Sequence, residues 1–457
     1  MRVPDPGRHK LNEMVREIRT HDRESGHFPV VRAGFLGNFT LDLLLTAFRH
    51  ACYSEGLRPD LRTFSGEDVL QAIMQEENNL LDETLDLVCL CLRREPLGLS
   101  PFYDPGKDAR EEAVDARTLQ FLKSCLLGVR QRTRAPILIH NFDVPVHSPA
   151  GIRDLRSRDG CINRVRQLNL SLVDLAADID GVHLIDIDLL QSKLGNSGLH
   201  DRRFWHLGRS PYTPVAAQLI ASEMMRAVRS LTGRARKCLV LDCDNTLWGG
   251  IVGEVGSQGI QLGGEYPGAA YQEFQRAVLA LHDMGVVLAL CSKNNEADVL
   301  EILEGHPEMV LRSEHFVAMR VNWEDKAANL MEISREINLG LDSFVFADDS
   351  RFEVGLVDML LPQVATLLLP DDPARYVDAL LTPGVFDSLE FSGEDKSRNA
   401  MYRAEAQRKL AMRQNAYATV EDFCRDLHME VRIDDADDMS SPRIAQLTKR
   451  SNQFNLT

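Results

Sequence analysis

Short apolar runs alternate with longer amphipathic stretches along most of the 457-residue chain. Continuous apolar runs of about four to eight residues are typical of parallel strands buried on both faces. Their regular alternation with helices predicts an α/β domain with a doubly wound parallel sheet over 28–233. In this half the pattern predicts strands at 29–36, 85–92, 136–141 and 182–187, and helices at 41–55, 111–130, 162–179 and 213–231.

The same alternation resumes in the second half, which predicts another doubly wound domain over 234–390. A chain of this length is expected to hold two or three domains. Residues 1–27 are a charged, helix-like extension. Residues 391–457 are expected to be a helical linker and a partial C-terminal α/β segment. The predicted strands are 237–241, 286–290 and 343–347, the predicted helices are 269–284, 327–337 and 390–413, and the last α/β unit begins at 420–433.

The first strand of the second domain ends in two carboxylates, Asp242 and Asp244. Residues i and i+2 of a strand point the same way, so both side chains can face one pocket at the carboxyl edge of the sheet. Such a pair suits phosphoryl transfer, in which one carboxylate attacks phosphorus and the other moves a proton to the leaving oxygen. The backbone carbonyl of Asp244 is a further candidate ligand for a cation. Taken alone, the two acids could equally cap the next helix.

Later strand ends and helix starts add the other groups that phosphoryl transfer requires. Ser292 follows the strand 286–290 at the start of a helix, where a hydroxyl and backbone amides can bind an anion. Lys326 opens the helix 327–337 and can neutralise a phosphoryl group. Asp348 and Asp349 follow the strand 343–347 and offer oxygen ligands for Mg²⁺. These groups at successive strand ends together predict one phosphoryl-transfer site.

The motifs resemble those of the haloacid dehalogenase (HAD) superfamily. Over about 237–370, the longer sequences of these motifs are similar to those of its FkbH-like branch, which is of the HAD-IIIC phosphatase type. The matching segments are DCDNTLWGG at 242–250, CSKNN at 291–295, NWEDK at 322–326 and DD at 348–349. Relatives continue the last motif with Asn-Pro and a Glu-Arg pair, whereas this chain has SRFEV at 350–354. That departure leaves the metal ligands intact and bears on any role of the following helix N-terminus in substrate choice. Relatives tend to continue into an acetyltransferase-like region, so the resemblance implies that 391–457 holds a helical linker and the start of such a region.

The resemblance implies a role for each matched residue. Asp242 would be the nucleophile and a metal ligand, and Asp244 the general acid/base and a second ligand. Asp348 and Asp349 would complete the Mg²⁺ site. The phosphate-binding residues would be Thr246, Ser292, Lys293 and Lys326.

The interval between the first two motifs is short. Residues 251–267 are rich in glycine and lead directly into the helix 269–284, so no large cap domain fits there. In this superfamily, such an open site resembles those used on substrates carried by a macromolecule.

The N-terminal domain resembles the SGNH-hydrolase-like domain that often precedes the FkbH-like unit. A hydrolase of that type needs a serine after its first strand, where this chain has Asn38. The late Asp-x-x-His element is also unmatched, because the segment 200–206 has those residue types at a different spacing. We therefore predict a noncatalytic domain that recognises a partner or an acyl chain, or that serves as a packing scaffold. His206 and Arg209 are candidates for an interdomain site or for surface structure.

Composition argues against several function classes. The chain has 52 basic and 68 acidic residues and a formal charge of −16, which disfavours binding to nucleic acid or to an anionic membrane. Nine cysteines lack the spacing of metal sites, and Cys89, Cys91, Cys238 and Cys291 lie in strand-like runs, as expected in a reducing compartment. No apolar run has the length of a membrane span, and the first residues do not resemble a signal peptide. We therefore expect a cytoplasmic protein.

Three functions remain open at this point. The resemblance implies a glyceryl transferase/phosphatase of polyketide-type biosynthesis. Such an enzyme dephosphorylates 1,3-bisphosphoglycerate, a small phosphorylated three-carbon substrate, and loads the glyceryl unit onto the phosphopantetheine thiol of an acyl carrier protein. The alternative is a Mg²⁺-dependent phosphatase of a small phosphoester with an N-terminal interaction domain. The third is a noncatalytic binding protein that retains HAD geometry.

Cys291 distinguishes the first function from the second. A thiol beside the phosphate site can hold an acyl group as a thioester, which makes Cys291 a candidate catalytic residue. A helix N-terminus and Lys326 would favour its thiolate, whereas apolar surroundings would oppose it. The other interpretation is a small buried hydrophobe at the end of a strand.

Overall fold

The computed structural model describes residues 6–75, 79–99, 108–389 and 401. It contains two five-stranded sheets in which the paired strands are parallel. The predicted fold class, two doubly wound α/β units, is confirmed. The predicted elements at 390–413 and 420–433 lie outside the described residues, apart from position 401. No helix in the described ranges has the length and apolarity that a membrane span requires.

The N-terminal unit consists of one sheet with helices on both faces. Its strands are β1 (Val30–Gly37), β2 (Arg58–Ser65), β3 (Leu87–Cys91), β4 (Ile137–His140) and β5 (Val182–Ile185), in the spatial order β2-β1-β3-β4-β5. Its helices are α1 (Pro6–Glu24), α2 (Asp42–Ser54), α3 (Val69–Met74), α4 (Asp108–Arg132), α5 (Cys161–Ala177), α6 (Ile187–Leu194), α7 (Asn196–Leu199), α8 (Arg202–Gly208) and α9 (Pro214–Leu231).

The second unit has the same architecture. Its strands are β6 (Cys238–Leu241), β7 (Val287–Ser292), β8 (Phe316–Val321), β9 (Phe344–Asp348) and β10 (Ala365–Leu368), in the spatial order β10-β9-β6-β7-β8. Its helices are α10 (Val252–Val255), α11 (Gly268–Asp283), α12 (Glu296–Gly305), α13 (Lys326–Ile337), α14 (Arg351–Leu360) and α15 (Tyr376–Leu381).

Each sheet has an apolar layer on both faces because successive strand residues point to opposite sides. In β1, Phe35 packs in the layer with α2 and α9, and Leu36 packs in the layer with α4 and α5. In β6, Leu239 likewise packs in the apolar layer on one face of the sheet, and Val240 packs in the layer on the other face. The apolar runs of the sequence are therefore strands that helices cover on both sides.

Each sheet also has one position where the chain reverses its direction across the sheet. In the N-terminal sheet β2 lies on one side of β1 and β3 on the other, so the reversal lies between β1 and β3. In the second sheet the chain runs from β6 through β7 to β8 and then crosses back to β9, so the reversal lies between β6 and β9. The connections diverge at such a point and leave a crevice beyond the carboxyl ends of the strands, where open α/β sheets bind their ligands.

The two units are joined through α9 and the segment after α15. Arg226 and Arg229 of α9 donate hydrogen bonds to the carbonyls of Thr382 and Pro383, at 2.7 and 3.0 Å. The chain therefore returns to the N-terminal unit after it has completed the second one.

Candidate active site

Two acids meet at the reversal point of the second sheet. β6 and β9 are paired neighbours, and Leu241 lies opposite Ala347. The residue that follows Leu241 in β6 and the one that follows Ala347 in β9 are both aspartates, so Asp242 and Asp348 lie side by side at the carboxyl edge. Both are buried, and the N–H of Asp242 donates to the carbonyl of Ala347 at 3.1 Å. Strand register alone therefore brings the two carboxylates together.

Lys326 connects these two carboxylates. Its Nζ lies 3.0 Å from Oδ1 of Asp242 and 2.6 Å from Oδ2 of Asp348. The side chain comes from the first turn of α13, where Asp325 caps the helix by accepting a hydrogen bond from the N–H of Ala327. Burial alone would lower the pKa of Lys326, but the two carboxylates outweigh that effect and raise the pKa above its usual value. The lysine is therefore a fixed positive charge in the site.

Asp349 adds a third carboxylate. Oxygen atoms of Asp242, Asp348 and Asp349 all lie within 4.8 Å of one another. Burial raises the pKa of Asp349 to about 6, and the charges of Asp242 and Asp348 contribute to the shift. One ammonium cannot balance three carboxylates. The surplus of hard oxygen donors fits a divalent ion such as Mg²⁺.

Asp244 lies in a different environment from the other acids. Its Oδ1 accepts hydrogen bonds from Nε1 of Trp248 at 2.9 Å and from the N–H of Val252 at 3.1 Å. Its Oδ2 accepts one from Nδ2 of Asn294 at 2.9 Å. Burial raises the pKa of Asp244 and these donors lower it by less, so the net shift is upward. A raised pKa favours the protonated form that a general acid needs.

Asn294 is a residue of this site that the sequence analysis did not select. It is buried, and besides Asp244 it donates to Oγ of Ser292 at 3.3 Å. It therefore links the candidate acid to the candidate phosphate-binding serine. Only its place inside the segment 291–295 could have identified it, because a lone asparagine carries no chemical signal.

Thr246 and Ser292 bring two hydroxyls to the same edge. Both residues are buried, and Oγ1 of Thr246 has no hydrogen-bond partner among the described residues. A buried hydroxyl without a partner costs on the order of 1–3 kcal/mol, so its position suits a ligand oxygen.

Lys293 is also predicted to bind phosphate, and it is paired with another group. Its Nζ lies 2.6 Å from Oε1 of Glu353, at the start of α14. Glu353 falls within the segment 350–354, where this chain departs from the FkbH-like motif that it resembles. The ammonium of Lys293 would have to leave Glu353 before it could bind a phosphate.

Cys291 lies in an apolar layer of the second sheet, and its Sγ is 3.8 Å from the backbone carbonyl of Lys326. On β7 it continues the alternation of Val287 and Ala289, and it packs with Leu330 of α13 in the apolar layer. The thiol is fully buried, and burial raises its pKa well above the usual value, with a smaller opposing effect from Lys326. The depressed pKa expected for a reactive thiol is therefore absent. This placement favours the interpretation of Cys291 as a small core hydrophobe.

The interval between the first two motifs forms no cap domain. From Asp242 to Ser292, a stretch that is described throughout, the helices are the four-residue α10 and α11. The site is therefore open on this side, as its short glycine-rich sequence predicts.

Of the three candidate residues in the N-terminal domain, Asn38 is buried, whereas His206 and Arg209 lie at the surface. Asn38 follows β1 and is buried, and its side chain makes two hydrogen bonds to the backbone of Arg93. His206 and Arg209 are exposed, and the guanidinium of Arg209 lies 5.0 Å from the ring centre of Trp205. Asn38 therefore holds the ends of β1 and β3 together.

One solved structure resembles the chain over most of its length. It is the N-terminal part of the protein BF1531 from Bacteroides fragilis, which contains a phosphatase domain and is complexed with Mg. The identity is 26%, the TM-score is 0.74, and the likeness covers 83% of this chain and 99% of that chain. Neither unit alone makes up that share of the chain, so the likeness spans both sheets. It supports the HAD-like phosphatase part of the predicted resemblance.

Other comparisons add little. The structure of phospholipase A1 from Streptomyces albidoflavus NA297 is 16% identical, and the match covers 41% of this chain and 94% of that chain with a TM-score of 0.31. No family model and no curated protein matches the chain. The FkbH-like, HAD-IIIC and SGNH-like assignments, the domain boundaries and the individual residue roles stay predictions.

Proposed function

We propose that the chain is a Mg²⁺-dependent phosphatase with Asp242 as its nucleophile. The convergence of Asp242, Asp348 and Asp349 around Lys326, at the reversal point of a parallel sheet, carries this proposal. The likeness to a structure that contains a phosphatase domain and Mg supports it.

The acidic cluster would hold the metal ion. Its ligands would be Asp242, Asp348 and Asp349, together with the backbone carbonyl of Asp244. When bound, the ion neutralises charge on the attacking carboxylate and on the phosphoryl group. The hydroxyls of Thr246 and Ser292 would donate to the remaining phosphoryl oxygens.

The reaction then proceeds in two steps. A carboxylate oxygen of Asp242 attacks phosphorus, and the bond from phosphorus to the leaving oxygen breaks, which gives an aspartyl phosphate. Asp244, whose pKa is raised by burial, would give its proton to the leaving oxygen. In the second step Asp244 takes a proton from water as the water oxygen attacks phosphorus, and Asp242 leaves as a free carboxylate. The ammonium of Lys326, 3.0 Å from Oδ1 of Asp242, would hold that carboxylate in position for the attack.

Phosphate release from a panel of small phosphoesters tests this function. We expect turnover with Mg²⁺, none with EDTA, and loss of turnover in Lys326→Met. Lys193→Met, which changes an exposed lysine of α6, is the matched control and should keep the parental rate. No release from any phosphoester with Mg²⁺ present, or an unchanged rate in Lys326→Met, would contradict the proposal.

A finer form of the proposal adds acyl transfer. The substrate would be 1,3-bisphosphoglycerate and the acceptor the phosphopantetheine thiol of an acyl carrier protein, as the FkbH-like resemblance implies. The open interval 251–267 supports it, because a thiol carried by another protein needs access to the site. The burial of Cys291 favours direct transfer, in which the carrier thiol attacks the acyl carbon, the bond from that carbon to the C1 phosphate oxygen breaks, and phosphate leaves with the thiol proton. The phosphoester at C3 would be hydrolysed through Asp242 and Asp244 by the two steps above, which gives a glyceryl group.

Intact mass spectrometry of a carrier protein tests this finer form. The carrier is incubated with the enzyme, 1,3-bisphosphoglycerate and Mg²⁺, and we expect one glyceryl group per carrier. If phosphate is released but the carrier stays unmodified, acyl transfer is excluded and phosphatase activity is the only function that remains.

A further inference from the structure

The reversal point of the N-terminal sheet carries a charged cluster that the proposed reaction does not use. We define this arginine cluster as Arg93, Arg94, Glu95, Asp143 and His200. Its first three residues follow β3, and Asp143 follows β4. Asn38 ties the ends of β1 and β3 together, since its Nδ2 donates to the carbonyl of Arg93 at 2.8 Å and its Oδ1 accepts the N–H of Arg93 at 2.7 Å. The cluster therefore lies where an open α/β sheet binds its ligand.

Arg93 is fully engaged within the cluster. Its Nη1 donates to Oδ1 of Asp143 at 2.8 Å, and its Nε donates to Oε2 of Glu95 at 3.0 Å. The other carboxylate oxygen of Asp143 lies 3.1 Å from Nε2 of His200. Burial would raise the pKa of Asp143, but Arg93, with His200 and Arg94, holds it well below its usual value. These short contacts form a complete network without Arg94.

Arg94 has buried hydrogen-bond donors that are not part of this network. The residue is 7% exposed, and its Nε and Nη1 are buried with no hydrogen-bond partner among the described residues. Its Nη2 lies 3.5 Å from Asp143 and 3.6 Å from Glu95, which is longer than a normal hydrogen bond. A buried guanidinium with unmet donors is costly unless something accepts them. This arrangement indicates an acceptor that the chain itself does not provide.

A second buried side chain at the same edge is also unpartnered. His140 ends β4, the neighbour of β3, and neither ring nitrogen has a partner in the described part of the chain. Burial, together with the charge of Arg93, lowers the pKa of His140 to about 3, so the ring is neutral. A neutral imidazole offers one donor and one acceptor. Two independent side chains at this edge therefore have unused hydrogen-bonding capacity.

The surroundings of the cluster are positively charged. Helix α8 and its C-cap carry Arg202, Arg203 and Arg209, all exposed. The helix end lies against the turn after β1, because the hydroxyl of Thr40 donates to the carbonyl of Gly208 at 2.6 Å. Asp201, the N-cap of α8, offsets one of these three charges, so the helix keeps a net positive charge that favours anions near this edge.

We propose that the reversal point of the N-terminal sheet binds a small oxyanion, a carboxylate or a phosphate group, whose oxygens accept hydrogen bonds from the open nitrogens of Arg94. Arginine suits this task because it stays charged and presents several donors in one plane. The site is a second ligand site, separate from the acidic cluster of the second sheet. It gives the N-terminal domain a recognition role that needs no nucleophile.

Anion titrations of the full chain in EDTA, without Mg²⁺, test the proposal. Inorganic phosphate and acetate are each added at constant ionic strength, and binding is followed by calorimetry and by the melting temperature. We expect saturable binding of at least one of them, and the tighter one identifies the ligand class. Arg94→Met should weaken that binding at least tenfold. Arg153→Met, at an exposed arginine of the same domain, should leave it unchanged.

Two further variants make the outcome decisive. Arg94→Lys keeps the charge but not the planar donors, so we expect weaker binding in a chain whose circular dichroism matches the parent, even if Arg94→Met fails to fold. Lys326→Met, which disables the second sheet, should retain anion binding. The proposal is overturned if the parent chain binds neither anion saturably, if the Arg94 variants that fold bind as the parent does, or if Lys326→Met abolishes binding. None of these readouts depends on phosphatase activity.

Discussion

The two sheets of this chain are both parallel and five-stranded but differ in strand order, and they place opposite chemistry at their reversal points. At the reversal point of the second sheet, Asp242 and Asp348 flank one ammonium, that of Lys326. At the reversal point of the N-terminal sheet, the guanidiniums of Arg93 and Arg94 lie near one buried carboxylate, that of Asp143. The fold determines where a ligand can bind, and the side chains at the strand ends determine which ligand and which reaction.

The difference between the two edges extends to reactivity. The second edge has a buried carboxylate, Asp242, which we propose as the nucleophile, and a second one, Asp244, with a raised pKa. The first edge has Asn38 at the equivalent strand end, and its amide is committed to the backbone of Arg93. The edge of the second sheet therefore has the groups that the proposed reaction needs. The edge of the N-terminal sheet has groups that can bind a ligand.

Removing the charge of Asp242 should produce the largest effect. Asp242→Asn deletes both the attacking oxygen and a metal ligand, so Mg²⁺-dependent phosphate release should fall by on the order of 10⁴-fold or more. Asp60→Asn, at an exposed position of β2 in the other sheet, is the control and should keep the parental rate. If Asp242→Asn retained the parental turnover, the catalytic role of the acidic edge would be wrong.

Asp244→Asn should have the next largest effect, and its size should depend on the substrate. For an alkyl phosphate, loss of the general acid should slow turnover by about 10²- to 10⁴-fold. For a phosphate with an acidic phenol as leaving group the loss should be much smaller, because that oxygen leaves without a proton. Rates for a matched pair of such substrates provide the measurement. Equal losses on both would show that Asp244 positions groups and does not transfer the proton.

The parts of the fold that could be predicted from sequence are mostly the interior strands. β1, β3, β4, β6, β7 and β9 have neighbours on both sides, and their apolar runs predicted them. The strands that escaped prediction, β2, β8 and β10, lie at sheet edges. β2 alternates exposed and half-buried residues, and β10 is half-buried throughout. Edge strands need less apolar sequence because water reaches one side, so the pattern there is too weak to recognise.

The second sheet's candidate site was more predictable than the N-terminal one. Its acids follow apolar strands in short motifs, so strand alternation and chain order suffice to bring Asp242 and Asp348 together. The N-terminal cluster is assembled from residues far apart in sequence, such as Arg93, Asp143 and His200, with no motif that links them. The orientation of Cys291 also needed the structure, because only strand alternation within a known sheet decides which face its thiol joins.

The effect of Mg²⁺ on stability should depend on pH at the acidic edge. The pKa of Asp349 is raised to about 6 in the folded chain from 3.8 in the unfolded chain, so its protonated form stabilises the metal-free fold at low pH. That contribution is lost as pH rises through about 6. Bound Mg²⁺ replaces the proton, so the gain from Mg²⁺ should be about 2.7 kcal/mol above pH 7 for a concentration of 100 times Kd, and about half of that at pH 5.

Melting temperatures with and without Mg²⁺ across this pH range measure the effect. Asp349→Asn is the matched variant, and it should melt with a smaller pH dependence and a smaller gain from Mg²⁺. A gain from Mg²⁺ that is the same at pH 5 and pH 7.5 would contradict the assignment of Asp349 to the metal site.

Replacement of Cys291 should have the smallest effect on activity. It tests whether a thiol of the apolar layer takes part in the reaction. Cys291→Ala removes one buried sulfur and should destabilise the chain by about 1 kcal/mol, with phosphate release unchanged. Cys238→Ala is the control, because Cys238 is fully buried in the same apolar layer on β6 and should show a similar loss. Melting temperature and phosphate release are measured for both, with carrier loading where it occurs. A selective loss of carrier loading in Cys291→Ala would mean that the thiol leaves the core to accept the acyl group.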